Sequence, residues 1–472
     1  MKRKSMALLG PLLLFFVALF LPPDFFHLPG LTVVEQRVIA IFFLAAALWI
    51  LEPIPIFATS VLVITLELLM LSDRGLKFLT AAQSGRFGSL LVYSEVMAIF
   101  ASPVIILFLG GFFLALAAGK YRLDINLARV ILRPFGSRPR WIMMGLMLIT
   151  ALFSMFMSNT ATTAMMLAVV GPVLAAFPPG DRGRTGLVLA IPVAANIGGL
   201  GTPIGTPPNA IAMQYLTASG TFSFVDWMLF AVPFMLLMLL FSWWLLDRFF
   251  PSRQPAVRLR LEGRFERAPK ALIVYVVFGL TVLLWLMGDL HGLNSYVVAM
   301  IPVAVFSVTG VIGKADLKEI SWDVLWLLSG GLALGLALEK TGLAARLVQS
   351  IPFGSFSPFT VLLAAASLAL LMANFMSHTA TANLLLPLMA TLAPAVSGLE
   401  SFGGRAGLLV AVTIACSLGM SLPISTPPNA LAVAAGQVET RDLARVGLPV
   451  GLVGLLLSFL TVWAATRAGI FN

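Results

Sequence analysis

The chain has 472 residues, of which 60% are hydrophobic and 11% are charged, and its formal net charge is +10. A mean hydropathy of +1.00 excludes an ordinary soluble domain, because apolar stretches long enough to cross a bilayer as helices recur along the chain. The positive charge gathers in short segments between these stretches, which argues against a nucleic-acid-binding protein. The single cysteine, Cys416, excludes an internal disulfide and indicates no metal cluster.

In chain order, the apolar stretches predict an all-α polytopic membrane protein with about 11 transmembrane helices and two pairs of shorter, hairpin-like helices. The first stretch has a basic start and an apolar core, but Leu21-Pro22-Pro23-Asp24 lacks the small residues of a signal-peptide cleavage site. We therefore expect a retained first span, with no soluble domain inserted or appended. The later spans are predicted at 34–51, 54–72, 97–118, 185–217, 226–249, 271–290, 294–312, 322–339, 405–437 and 441–467.

An internal repeat relates the two halves of the chain. Leu109-Gly110-Gly111 resembles Ser329-Gly330-Gly331 at an offset of 220 residues, and Lys120 resembles Lys340 at the same offset. Such self-similarity indicates duplication. The predicted parts are an extra N-terminal transmembrane helix at 1–33, a first repeat at 34–250 with a hairpin at 140–178, a linker at 251–270, and a second repeat at 271–472 with a hairpin at 358–396.

Charge predicts which side of the membrane each segment faces, since cytoplasmic loops carry an excess of Lys and Arg. The basic N-terminus, the loop at 120–140 and the linker are therefore expected in the cytoplasm. The equivalent loop at 339–359 holds only Lys340 and Arg346 as basic residues. If this difference reports sidedness rather than chance, the two loops lie on opposite sides and the chain is an inverted repeat, as in many secondary transporters. The basic residues at 120–140 are Lys120, Arg122, Arg129, Arg133, Arg138 and Arg140, against Asp124.

Each repeat carries two polar interruptions of its apolar pattern. The first repeat has Ser158-Asn159-Thr160-Ala161-Thr162 and then Thr206-Pro207-Pro208-Asn209-Ala210. The second has Ser377-His378-Thr379-Ala380-Thr381 and then Thr426-Pro427-Pro428-Asn429-Ala430. Serine and threonine within membrane helices often serve only packing. Four interruptions at matched spacing instead favour a binding site that both repeats line.

These residue types suit anions and hard cations. The prolines must break their helices, and backbone can leave the helix inside a membrane only where protein or a water-filled cavity satisfies it. Asn209 and Asn429 can bond the groups that the break frees. The segments from Pro139 to Met157 and from Ala161 to Phe177 are short, which predicts a re-entrant helical hairpin whose second helix directs free amides at its tip. Because no tip or pentapeptide contains a charged Lys, Arg, Asp or Glu, a bound anion would need cations and helix ends to balance its charge.

These motifs resemble the divalent anion/sodium symporter family, which includes the sodium-dicarboxylate and citrate carriers. The resemblance rests on four features: Ser158-Asn159-Thr160, both Thr-Pro-Pro-Asn-Ala segments, the run from Ala101 to Gly111, and Glu52-Pro53-Ile54-Pro55. The resemblance implies di- or tricarboxylate substrates, or sulfate, and a homodimer in which a transport domain moves past a static scaffold, as an elevator-type transporter does.

The resemblance also implies site residues. It places substrate at Ser158, Asn159, Thr160, Thr206, Pro207, Ser377, Thr379, Thr426 and Pro427, and we add His378, which lies in the second tip, as a further candidate for substrate binding. It places a first sodium ion at Ser154, Ser158, Asn159 and the carbonyl of Gly205, and a second at Ser377 and Ser425.

The second sodium site departs from the family pattern, since His378 stands where the family has Asn and Ala373 stands where the first repeat has Ser154. A neutral His378 could donate to a substrate carboxylate, and a protonated one could replace the sodium ion and favour obligatory exchange. Proton coupling through its imidazole is a third reading, because histidine titrates near neutral pH. A hydrogen-bonded histidine with no transport role is the fourth.

We therefore expect a secondary active transporter of small divalent anions, above all C4-dicarboxylates such as succinate, malate and fumarate, coupled to sodium through at least one site. The alternative is a sodium-independent dicarboxylate or citrate exchanger in which His378 replaces a cation. An anion channel is the competitor from another class, but broken helices favour alternating access. The motifs hold no paired acids or nucleophile triad, so an enzyme is not expected. The expected setting is the bacterial inner membrane, with no cofactor beyond sodium and no nucleic-acid partner.

Overall fold

A computed structural model describes residues 2–80, 87–175, 177–178, 180–217, 222–256, 265–350 and 356–471. Residues 257–264 of the predicted linker and 351–355 before the second predicted hairpin lie outside the described residues. The same holds for the side chains of Lys2, Arg3, Lys4, Asp124, Arg129 and Arg133.

The first half of the described chain is mainly helical. Two of its helices begin with a reciprocal cap: Thr32 with Glu35, and Ser223 with Asp226. Its helices are α1 (Lys2–Phe20), α2 (Val33–Leu51), α3 (Ile56–Met70), α4 (Lys77–Thr80), α5 (Tyr93–Ala98), α6 (Pro103–Lys120), α7 (Leu123–Leu132), α8 (Pro139–Ser154), α9 (Asn159–Ala175), α10 (Arg182–Gly198), α11 (Pro207–Thr217) and α12 (Phe224–Phe249).

The second half repeats the order of the first, because a long helix, a short helix, a helical pair, a broken helix and a final long helix follow one another in both. This order runs from α6 to α12 and again from α16 to α22. The helices are α13 (Pro269–Leu286), α14 (Gly288–His291), α15 (Ser295–Val308), α16 (Trp322–Lys340), α17 (Leu343–Ser350), α18 (Pro358–Phe375), α19 (His378–Leu392), α20 (Gly404–Leu418), α21 (Pro427–Ala434) and α22 (Thr440–Arg467).

Eight helical segments in the described chain are long and apolar enough to cross a membrane. Six of them coincide with predicted spans, and Arg182–Gly201 covers the first part of the predicted span at 185–217. The eighth, Pro358–Phe375, is the first helix of the second predicted hairpin. The predicted spans at 54–72 and 294–312 contain the shorter helices Ile56–Met70 and Ser295–Val308. An integral, multi-pass membrane protein is therefore confirmed, and the count of eleven spans stays a prediction.

Both predicted helix breaks are present. Helix α10 ends at Gly198, a 3₁₀ turn covers Gly199–Gly201, and α11 begins at Pro207. Helix α20 ends at Leu418, and α21 begins at Pro427. Each restart places a proline at the first helical position, where the missing amide costs no hydrogen bond.

The helices pack as two sets that cut across the two halves of the sequence. The outer set contains α1–α3, α6, α13, α15 and α16, and the inner set contains α8–α12 and α18–α22. Within the inner set the halves interlock, because α9 packs on α21 and α11 packs on α19. The short helices α7 and α17 each contact one helix of either set.

Helix α16 forms the main contact between the sets, and its glycines allow close approach on both sides. A Cβ atom at Gly330 would collide with Ser60 of α3, in the outer set. A Cβ atom at Gly331 would collide with Asn383 of α19, and one at Gly335 with the hydroxyl of Tyr215 on α11. Asn383 Nδ2 also donates to the carbonyl of Leu327 across this contact at 3.0 Å.

Candidate functional site

The second helix of each helical pair begins at the polar tip that the sequence identifies. Ser158 Oγ accepts a hydrogen bond from the amide of Ala161 at 3.2 Å, and Ser377 Oγ accepts one from Ala380 at 3.2 Å. Each serine thus caps its helix and satisfies one of the amides that a helix start leaves free. Both tips lie in the inner set.

The two pentapeptide asparagines hold the broken helices together. Asn209 Nδ2 donates to the carbonyls of Gly199 at 2.9 Å and Thr202 at 2.8 Å. Asn429 Nδ2 donates to Met420 at 2.8 Å and Leu422 at 2.9 Å. The carbonyls that lose their helical partners at the breaks are satisfied in this way, as the sequence predicts.

Oxygen atoms from three elements converge around the side-chain amide of Asn159. Ser154 Oγ lies 2.6 Å from Asn159 Oδ1 and donates to the carbonyl of Ala195 at 2.7 Å. With the amide turned over, its nitrogen donates to Ser154 Oγ at 2.6 Å, to Gly205 O at 3.2 Å and to Ala195 O at 3.3 Å. The nitrogen-inward orientation satisfies these contacts by itself. The oxygen-inward orientation faces acceptors alone and gives a cluster of oxygen atoms, which are the ligands that hard cations prefer. These residues are called the Asn159 cluster below: Ser154, Asn159, Ala195 and Gly205.

Two glycines make the Asn159 cluster possible. A Cβ atom at Gly199 would lie 2.6 Å from Asn159 Oδ1. A Cβ atom at Gly205 would lie 2.9 Å from the carbonyl oxygen of Ser154 and would collide with the carbonyl of Gly199. Glycine is therefore required at both positions so that backbone carbonyls can approach the amide.

Gly205→Ala is expected to lower the free energy of unfolding by about 1–3 kcal/mol, because the new methyl group must displace backbone. Thermal unfolding of the purified variant measures the effect. Gly171→Ala is the matched control, since Gly171 lies within α9 and a Cβ there meets nothing within 4 Å. Equal unfolding temperatures for the two variants would contradict the steric requirement.

The second half builds a different arrangement at the equivalent place. His378 is buried, and its Nε2 lies 2.8 Å from the carbonyl oxygen of Gly419. Ala373, which is also buried, supplies no side-chain oxygen where the first half has Ser154. Ser425 Oγ donates to the carbonyl of Asn374 at 2.9 Å and accepts from the amide of Leu422 at 3.2 Å. Ser377 and Ser425 therefore have separate hydrogen-bond partners here and share none.

Asn196 joins the two halves, and sequence analysis did not identify it. Its Nδ2 lies 3.3 Å from Thr426 Oγ1 and 3.4 Å from Asn429 Oδ1, so α10 of the first half contacts the break of the second. Cys416 occupies the equivalent position in α20. A buried asparagine inside an apolar helix is itself a signal, because such a polar side chain needs a partner.

The remaining residues that the sequence predicts for the site differ in exposure. Thr206 and Thr426 are buried, Ser158, Pro207, Ser377 and Thr379 are half-buried, and Thr160 and Pro427 are exposed. Thr426 Oγ1 also caps α21 by accepting from Asn429 N at 3.2 Å.

Ser158 lines a cavity of about 410 Å³ between the two sets, together with Lys120 and Asp316. Lys120 Nζ donates to Asp316 Oδ2 at 2.7 Å. This hydrogen bond and a second one from the Gly313 amide hold the pKa of Asp316 below its usual value. The first tip is thus reachable from the end of the molecule where α6 finishes.

This architecture defines a class of protein: a multi-pass, all-helical membrane transporter with polar breaks in paired helices. The chain belongs to the citrate transporter family CitMHS, whose family model matches residues 46–404, and so to the divalent anion/sodium symporters. It is a transporter and not an enzyme.

Relatives of this chain carry closely related names. It is 34% identical over 418 residues to the sodium-dependent high-affinity dicarboxylate transporter 3 of Caenorhabditis elegans, covering 75% of this chain and 72% of that one. It is 31% identical over 495 aligned residues to the sodium-dependent dicarboxylate transporter SdcS of Staphylococcus saprophyticus, covering 97% and 90%. The fold is also similar to the crystal structure of the YdaH transporter of Alcanivorax borkumensis, with a TM-score of 0.54, 14% identity and coverage of 92% and 98%.

Proposed function

We propose that this protein is a secondary active transporter of C4-dicarboxylates, driven by sodium bound at the Asn159 cluster. The observation that supports it is that Ser154 Oγ, Ala195 O and Gly205 O surround one end of the Asn159 side-chain amide, so that turning the amide oxygen toward them makes a site of oxygen atoms alone. Relatives named as sodium-dependent dicarboxylate transporters support the same substrate and ion.

Both the helix tips and the helix breaks would contact the bound anion. A four-carbon diacid would place one carboxylate at each tip, where the starts of α9 and α19 supply partial positive charge. Hydroxyl groups and the His378 imidazole would supply further contacts. The proposed substrate contacts are Ser158, Asn159, Thr160, Thr206, Pro207, Ser377, His378, Thr379, Thr426 and Pro427.

Sodium would then balance part of the substrate charge. Ser154, Ser158, Asn159 and the Gly205 carbonyl would hold the first ion, and the Ala195 carbonyl is a further oxygen at this place. A second ion at Ser377 and Ser425 receives less support, because Ala373 and His378 replace two oxygen-bearing positions.

The two packing sets suit an elevator-type motion in which the inner set carries the site past the outer set. The repeated helix order supports a duplicated chain, and the charge difference between the loops at 120–140 and 339–359 supports its inversion, with α8–α9 and α18–α19 as the re-entrant hairpins. We further propose a homodimer in a bacterial inner membrane, with the N-terminus in the cytoplasm, as the basic segments indicate.

Sodium-independent dicarboxylate or citrate exchange is the second candidate, and the contact of His378 with Gly419 O supports it. A nitrogen donor already occupies the carbonyl that a second cation could use. If the imidazole were protonated, its fixed charge would hinder the return of the empty carrier, so that only exchange would proceed.

Uptake of labelled succinate into proteoliposomes tests the proposal. We expect uphill accumulation into empty vesicles when sodium is supplied outside, and little uptake without it. Uptake that needs only internal succinate would establish exchange instead. Uptake that equilibrates passively, whatever the ion or counter-substrate gradient, would establish a channel.

A further inference from the structure

An arginine–tryptophan cluster lies at the start of α8 and the end of α12, away from the Asn159 cluster. It consists of Arg138, Arg140, Trp141 and Trp243. The guanidinium of Arg140 lies 5.2 Å from the ring centroid of Trp141 and 5.1 Å from that of Trp243. The two indole rings stack at 5.3 Å, and Trp243 Nε1 donates to the carbonyl of Arg140 at 2.8 Å. The aromatic rings therefore fix the guanidinium in place.

The two arginines keep their charge available. Both are exposed, and neither forms an ion pair with an acid in the described part of the chain. They line a cavity of about 190 Å³ together with Gly183 and Asp247. Because two arginines and one aspartate line this cavity, the charged side chains around it carry a net positive charge. A guanidinium that is held in place with free N–H groups suits the oxygens of a phosphate group.

An apolar surface leads away from this cavity along α12. Leu237, Leu240 and Trp244 are 53%, 51% and 57% exposed, and they share one face of the helix. Tryptophans at the end of such a face are typical of the membrane–water boundary. The surface suits an acyl chain, and the arginines at its end suit the headgroup of the same molecule.

We propose that the arginine–tryptophan cluster binds the phosphate of an anionic phospholipid whose acyl chains lie on the exposed face of α12. A soluble phosphate would use the same arginines but would gain nothing from that face. Because α8 and α12 belong to the inner set, the lipid would be bound by the same helices that carry the polar tips.

Binding of phosphatidylglycerol and phosphatidylcholine to the delipidated protein, followed by native mass spectrometry, tests this site. We expect phosphatidylglycerol to bind more tightly, and its affinity to fall about fivefold for each arginine removed in Arg138→Gln and Arg140→Gln. Arg467→Gln is the matched control, because Arg467 lies 5.8 Å from the ring centroid of Trp463 at the end of α22. It should bind as the unmodified protein does.

Three outcomes would overturn the proposal: equal affinity for the two lipids, unchanged affinity in both glutamine variants, or displacement of phosphatidylglycerol by millimolar inorganic phosphate. The last would assign the arginines to a soluble anion. If Arg140→Gln fails to fold, the lipid affinities of Arg138→Gln and Arg140→Lys test the proposal instead. Arg138 is exposed, so its substitution should not disturb folding, and lysine keeps the positive charge at position 140. The readout involves no transport, so the result is independent of the proposed substrate.

Discussion

Ser154→Ala is expected to raise the sodium concentration for half-maximal succinate uptake by about tenfold to a hundredfold. The substitution removes the one side-chain hydroxyl of the Asn159 cluster, which lies 2.6 Å from the inward-facing atom of the Asn159 amide. A hydrogen bond or ligand contact to a charged group contributes about 1.5–3 kcal/mol, which sets the size of the shift. Uptake into proteoliposomes at increasing external sodium measures it.

Ser458→Ala provides the control for this experiment. Ser458 is also buried in the inner set, but its hydroxyl donates only to Leu455 of its own helix, at 2.7 Å. We expect its sodium response to match that of the unmodified protein. A folded Ser154→Ala variant with an unchanged sodium response would remove the Asn159 cluster from the coupling mechanism.

The double substitution Ala373→Ser with His378→Asn should lower the sodium concentration for half-maximal uptake by about tenfold, since it supplies two side chains with oxygen atoms. It places at α18 and α19 the residue types that Ser154 and Asn159 supply in the first half. The same variant should lose any exchange that proceeds without sodium. Sodium titrations of uptake, with and without internal succinate, measure both effects.

His291→Asn is the matched control, because His291 Nε2 also lies 2.8 Å from a backbone carbonyl, that of Leu284, but outside the inner set. Its sodium response should not change. If the double variant folds and responds to sodium as the unmodified protein does, His378 does not stand in for a cation.

The helix breaks were predictable from sequence because proline acts locally. A proline cannot continue a helix whatever surrounds it, and α11 and α21 begin at Pro207 and Pro427. The bonds of Asn209 and Asn429 could also be predicted, because their partners are carbonyls ten residues away or fewer.

Contacts between the halves could not be predicted in this way. Asn196 and Thr426 are 230 residues apart, and no pattern within either half specifies that they meet. The contact of His378 with Gly419 depends on how α19 packs against α20, and the sequence alone left its partner open. Span counting was limited for a different reason, because the helix Ile56–Met70 is shorter than the apolar run that contains it.

The glycines of α16 affect how the inner set could move along this helix. At Gly331 and Gly335 the side chains of Asn383 and Tyr215 lie against a helix surface without side chains of its own. Because Gly331 and Gly335 lie one helical turn apart, a displacement of about one turn along this line would meet no side chain of α16 between them. Such a displacement would also have to break the hydrogen bond from Asn383 Nδ2 to the carbonyl of Leu327, which is a polar contact at this place.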